Sequence, residues 1–135
     1  MKTREEILAQ RAMPPVEIVT ETLGQGFIKR FTALEAFEWS QAVDAMRDDS
    51  GKIINEPVYH ATLVQLSYCD ESGALVFKPA DIAQIQHSLD YRTIAAIFVE
   101  SCRVNCLTRG DTLVEVAKAR ANFQPPKSPT PPPTN

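Results

Sequence analysis

The sequence predicts an α+β fold that is mostly α: an N-terminal β-hairpin packed on a bundle of about five helices, followed by a disordered, proline-rich C-terminal tail. Three observations lead there. Apolar residues alternate on either side of a glycine-containing turn between residues 16 and 31. From Thr32 onward their spacing changes from two to about 3.6. After Phe123 the chain holds six of its ten prolines and no large apolar residue, so it cannot bury enough surface to offset the entropy of ordering it. Residues 1–123 are therefore read as the folded domain and 124–135 as a polyproline-like tail.

Taken in order, Thr3 and Glu6 fit a capping box that starts a short helix, with Pro14-Pro15 as its stop. Val16–Leu23 and Phe27–Phe31 flank Gly24-Gln25-Gly26 as a hairpin, with Phe27, Lys29 and Phe31 on one face. Two strands alone are marginal, so the hairpin must lie on helices or pair with another chain. Thr32 and Glu35 form a second capping box, and Ala36, Trp39, Val43 and Met46 make one apolar stripe. Asp48-Asp-Ser-Gly51 closes that helix. Pro57 opens the next, with Tyr59, Leu63 and Leu66 on one side and Ala61, Val64 and Tyr68 on the other. A helix apolar on two sides belongs at the centre of the core. Asp70-Glu-Ser-Gly73 is a turn, and Leu75–Phe77 a short extended piece. Pro79 and Asp81 begin a helix with Ile82, Ile85 and Leu89 inward. Asp90 caps a longer one in which Tyr91, Ile94, Phe98 and Cys102 share a face. Thr108 and Asp111 cap a last helix with Leu113, Val116 and Ala117 inward.

Composition excludes several functions. A formal net charge of −3 gives no reason to expect a nucleic-acid backbone as partner, which needs clustered excess Lys and Arg. The longest apolar runs, such as Ile94–Val99, are far too short to cross a bilayer. Glu5 and Glu6 stand where a secretion signal would be apolar, and three cysteines make no disulfide framework. A reducing cytoplasm, no membrane and no nucleic acid are the expectation.

Residues that could carry chemistry are few. Cys102 and Cys106, with Cys69, His60 and His87, could supply zinc ligands, yet the close C-x₂-C knuckle is missing. Cys102 also shares a stripe with Ile94 and Phe98, where a free thiol packs as a small hydrophobe. A Cys–His nucleophile using His60 or His87 has no supporting pattern. Gly24-Gln25-Gly26 precedes a strand rather than a helix, unlike a dinucleotide fingerprint. No cofactor, metal or catalytic residue is expected. Overlapping P-x-x-P spacings, Pro126–Pro129 and Pro129–Pro132, lack a flanking basic pair and read as a spacer.

Read in order, the hairpin running into Phe31-Thr-Ala-Leu-Glu35, then Leu66-Ser-Tyr-Cys-Asp-Glu-Ser-Gly73, Leu75, Phe77, Asp81-Ile82, Asn105-Cys-Leu-Thr108, Asp111 and Val114–Lys118 make a pattern. It resembles the tail assembly chaperones of long-tailed bacteriophages, the group that includes those of lambda-like and HK97-like phages. The resemblance covers residues 15–120; Trp39, the Cys102/Cys106 pair and the tail fall outside its motifs. It implies a non-catalytic protein of the host bacterial cytoplasm, absent from the mature virion. Such a protein binds and solubilises the tape measure protein, and a longer frameshifted form recruits the major tail protein. Pro125-Pro126-Lys127 can be encoded as CCC-CCA-AAA, which contains a slippery heptamer and would place that frameshift at the end of the body. Holding an apolar helix needs an exposed apolar surface. Val19, Leu23, Phe27, Tyr59, Leu63 and Leu66 are the candidates for it, with homo-oligomers expected when it is unoccupied. The alternatives are a structural head–tail connector or other small virion protein, and a cysteine-based metalloprotein.

Overall fold

The computed structural model describes residues 1–10 and 13–107. The elements in chain order are α1 (Arg4–Ala9), β1 (Val16–Thr20), β2 (Gly24–Ile28), α2 (Ala33–Ala45), α3 (Glu56–Ser67), β3 (Tyr68–Cys69), a 3₁₀ turn (Pro79–Asp81) running into α4 (Ile82–Ser88), and α5 (Tyr91–Val104). The fold is α+β, with an antiparallel sheet packed on helices. The helix expected from Thr108 and the proline-rich tail lie outside the described residues. Among the described residues no helix is long and apolar enough to cross a membrane.

The sheet has three strands in the order β1-β2-β3, one more than expected. The extra strand comes from Tyr68-Cys69, which the apolar spacing assigns to the preceding helix. That helix instead stops at Ser67, and Tyr68 turns extended with φ −76° and ψ 121°. Tyr68 then pairs with Ile28 and Cys69 with Phe27, and Leu75 bridges to Cys69 beyond them. The hairpin turn is Glu21–Leu23, ahead of the glycines, because Thr20 pairs with Gly24. Gly24 sits at φ +69°, a left-handed conformation in which side chains are strained. Gly26 serves differently: a Cβ there would overlap the Tyr68 ring and its phenol oxygen. The absent side chain is what lets Tyr68 lie on the sheet.

Strand alternation turns Ile18, Gly26 and Ile28 toward the helices, and Glu17, Val19 and Phe27 away. Two apolar clusters lie on opposite sides of α3. One joins Ala61 and Val64 to Ile28, Tyr68, Ile85 and Ile97. The other joins Tyr59 and Leu63 to Trp39, Val43 and Phe98, with the Trp39 and Tyr59 rings stacked at 5.5 Å. The two-sided pattern read in α3 is thus its packing. Three polar residues that α3 carries inward find hydrogen-bond partners within the fold. Thr62 donates to the Val58 carbonyl and Ser67 to that of Leu63, each at 2.6 Å, and Gln65 donates to the Phe77 carbonyl at 3.2 Å. The Ser67 and Ser101 hydroxyls meet at 2.6 Å where α3 and α5 cross.

α5 is tied to the hairpin at both ends. At its start Asp90 caps the helix through Thr93 and also accepts a hydrogen bond from the Thr22 hydroxyl in the hairpin turn, at 3.0 Å. At its end the Asn105 amide accepts from the Phe31 N–H at 2.7 Å and donates to the Lys29 carbonyl at 3.0 Å, so one side chain pairs with backbone as a strand would. The expected stripe on α5 is rotated: Thr93, Ile97, Phe98 and Ser101 are buried, and Tyr91 is turned outward.

Local signals account for the helix starts. Thr32 and Glu35 form both halves of a capping box, and the Lys29 ammonium pairs with Glu35. Burial pushes the Glu35 carboxyl up, but the Lys29 ammonium and the Thr32 cap together hold it below its ordinary value. At α1 only half of the box forms. The Glu6 N–H reaches Thr3, while the Thr3 hydroxyl donates to the Glu6 carboxylate. This six-residue helix buries none of its residues, starts from its Thr3 cap, and ends at Ala9, well before Pro14. Asp48-Asp-Ser-Gly51 and Asp70-Glu-Ser-Gly73 fold into the same turn. In each, one aspartate Oδ1 accepts from the serine hydroxyl, the serine N–H and the N–H two residues further on, and the glycine adopts positive φ.

Gly26→Ala should destabilise the fold by about 1–3 kcal/mol, because the new methyl displaces Tyr68 from a packed position. Thermal unfolding would show it as a fall of several degrees. Acid should act through Asp48, Asp70 and Asp90. The Ser50, Ser72 and Thr93 hydroxyls, respectively, lead the hydrogen bonds that hold these carboxyls below their ordinary value. A lowered native pKa gives stability that is complete above the ordinary aspartate value and is lost as pH falls through the lowered one. Melting temperatures should therefore decline below about pH 4. Asp48→Asn with Asp70→Asn, which keeps both acceptors, should flatten that decline.

Candidate protein-binding surface

The six residues expected to offer apolar surface are scattered. Val19 is 68% exposed on the outer face of the hairpin. Phe27 is half-buried on the same face, opposite Cys69. Leu23 packs under the hairpin turn against the cluster around Ile28 and Ile97. Tyr59 and Leu63 are 1% and 0% exposed, and Leu66 is packed against the same cluster as they are. A helix with two apolar sides can leave one for a partner or bury both, and α2 covers the second side of α3. The structure therefore places Tyr59 and Leu63 in the core rather than on an exposed face.

An apolar groove lies instead along the outer side of α5. Tyr91, Ala95 and Val99 follow one another at intervals of four residues and line it, together with Phe98, Cys102 and His60 from α3, enclosing about 280 Å³. A second hollow of about 520 Å³ continues it past Tyr91 and His60 to Glu56, Pro57, Gln86, Leu89 and Ile94. Tyr91 is 75% exposed and Val99 65%. The run Ile94–Val99 carried the signal for this surface. Six consecutive apolar residues span every direction around a helix, and one core-facing stripe cannot absorb them all.

The polar groups of the groove are few. His60 Nε2 lies 3.2 Å from a Glu56 carboxylate oxygen one turn earlier, and its ring stands edge-on to Phe98 with centroids 4.7 Å apart. Of the other residues weighed for chemistry, only Cys102 shares the groove with His60. Cys69 is buried in β3, where burial, assisted by the Asp70 carboxylate, pushes its thiol up to about 11. Its protonated form is unreactive at neutral pH. His87 is exposed in the last turn of α4, and Cys106 lies beyond the end of α5. Among the described residues no three His, Cys, Asp or Glu side chains gather closely enough to hold a metal ion.

Cys106 has a conformational role. The Leu107 N–H returns to the Cys102 carbonyl at 2.8 Å and the Cys106 N–H to that of Arg103 at 3.4 Å, while Cys106 adopts φ +55°. This is a Schellman ending of α5, with a non-glycine residue in the left-handed position. Leu107 then packs on the cluster that holds Phe98.

No protein-family model, curated protein or solved structure matches this chain.

Cys106→Gly removes the strain of a side chain at positive φ, and the exposed thiol contributes no packing that would be lost. The variant should be more stable by about 0.5–1 kcal/mol, after allowing for the greater freedom of glycine in the unfolded chain. Denaturant unfolding should show a higher midpoint with an unchanged slope.

Proposed function

We propose that this protein is a non-catalytic assembly chaperone of a long-tailed bacteriophage, which binds the tape measure protein and keeps it soluble while the tail is built. The observation that carries this reading is the series Tyr91, Ala95 and Val99 along α5, exposed at Tyr91 and Val99 and set in an apolar groove. An amphipathic helix lays anchors spaced by three or four residues into such a groove. The tape measure protein, long, helical and hydrophobic, is the partner named by the resemblance over residues 15–120. The working site would be the host bacterial cytoplasm, and the protein would leave before the virion is complete. A longer product, made by frameshifting near Pro126-Lys127, would bring the major tail protein to the complex. With its groove unoccupied, the protein would associate with itself.

The test is co-expression with a segment of tape measure protein. The native chain should hold the segment in the soluble fraction. Tyr91→Ser combined with Val99→Asp should lose most of that effect. Both side chains are exposed, so stability should change by no more than about 0.5 kcal/mol each. A segment equally insoluble with and without the native chain would refute the chaperone reading. Retention of full effect by the double variant would refute this surface. Recovery of the protein from purified virions would favour a structural connector.

A further inference from the structure

We propose that α1 of one copy of this chain packs on the outer face of the hairpin of a second copy, so that two copies exchange their N-terminal helices about a two-fold axis. That face points away from the helices of the body, so the interface is separate from the α5 groove and forms without it.

Both surfaces are exposed and apolar. α1 buries none of its residues, and Ile7 and Leu8 are 52% and 67% exposed. On the hairpin Val19 is 68% exposed and Phe27 is half-buried. A helix of six residues gains little from its own hydrogen bonds in water, so packing on a partner would consolidate it.

Charge and spacing match the two surfaces to each other. Arg4, Ile7 and Leu8 stand at i, i+3 and i+4 and share one side of α1, with Glu5 and Glu6 turned elsewhere. On the sheet, Glu17 shares the outer face with Val19 and lies across from Phe27, its carboxylate accepting from the Gln25 amide at 2.9 Å. Each surface thus carries two apolar side chains and one charge, and the charges are opposite. Arg4 to Leu8 is four helical residues, about 6 Å along the axis. Glu17 to Val19 is two strand residues, about 6.7 Å. A helix laid parallel to β1 therefore sets Leu8 over Val19 when Arg4 is over Glu17, with Ile7 between them.

The parallel direction favours a second copy over the helix's own sheet. On its own sheet the chain would have to double back along β1 within residues 10–15. Pro14 and Pro15 stiffen that connection, and the Arg30 side chain donates to the Pro14 carbonyl at 3.0 Å, fixing where the arm departs. A second copy imposes no return path, and reciprocal exchange closes the assembly at two. The contact is small, so the dimer is weak and depends on concentration.

The experiment is sedimentation equilibrium of the full chain from micromolar to millimolar concentration. Every protein carries Tyr91→Ser and Val99→Asp, which remove association through the α5 groove, so failure here is distinct from failure of the chaperone reading. This parent should pass from monomer to dimer. Arg4→Glu and Glu17→Arg, both at exposed positions, should each weaken dimerisation about five-fold or more, since a symmetric exchange counts the lost ion pair twice. The two together should restore it, because the pair is rebuilt with its signs reversed. A parent that stays monomeric, single variants that dimerise as the parent does, or a double variant that remains weak overturns the proposal. A second measurement separates exchange from an arm folded back on its own sheet. With Leu8→Cys and Val19→Cys added to the parent, mild oxidation should link the introduced thiols between two chains, as read by peptide mass spectrometry. A link confined to one chain, or no link between these positions, overturns the proposal.

Discussion

On the two enclosed sides of a helix there is no solvent in which to place a polar side chain, and α3 carries Thr62, Gln65 and Ser67 into that interior. Each apolar side chain buried there contributes roughly 1.5–3 kcal/mol, and one unsatisfied polar group could cancel such a gain. Thr62 and Ser67 therefore bond back to their own helix, and Gln65 reaches the Phe77 carbonyl. Ser67 also meets Ser101, and two small hydroxyl side chains at that crossing let α5 lie close to α3. With α5 so placed, its two ends hold the hairpin through Asp90 and Asn105, and the Lys29 N–H bonds to the Ser67 carbonyl just ahead of β3. Helix and sheet meet at one short stretch of chain.

Much of this was legible. The Thr32–Glu35 capping box, the apolar stripe through Trp39 and Val43, both sides of α3, and the Asp90 cap of α5 all rest on local chemistry that spacing reports. The third strand was not legible. Tyr68 continues the 3.6 spacing of Ala61 and Val64, and only the space left by Gly26 makes a place for it on the sheet. That is a contact between residues far apart in the chain, which periodicity cannot register. The bridging role of Asn105 was hidden for the same reason.

The candidate surface shows the corresponding ambiguity. Tyr91 and Tyr59 are both aromatic, both near a helix start, and both aligned with apolar neighbours. One lies in the core beneath α2, and the other stands on the rim of a groove. The sequence pattern finds apolar faces, but the neighbouring helices decide which of them remain open. A single helix, α5, therefore serves two purposes, as a wall of the core through Ile97 and Phe98 and as the floor of the groove through Ala95 and Val99.

The ties between α5 and the hairpin have a consequence for biosynthesis. Thr22 and Asp90 are 68 positions apart, and Asn105 reaches back 74 and 76 positions to Phe31 and Lys29. On a ribosome the hairpin emerges early, and the helix end that secures it emerges last among the described elements. Contacts so distant form late and slowly. Until Asn105 has cleared the exit tunnel, the hairpin lacks its ties to both ends of α5, although β3 has already emerged to pair with β2. Securing the hairpin thus waits on translation of α5, the last of the described helices, rather than on the early emergence of the hairpin itself.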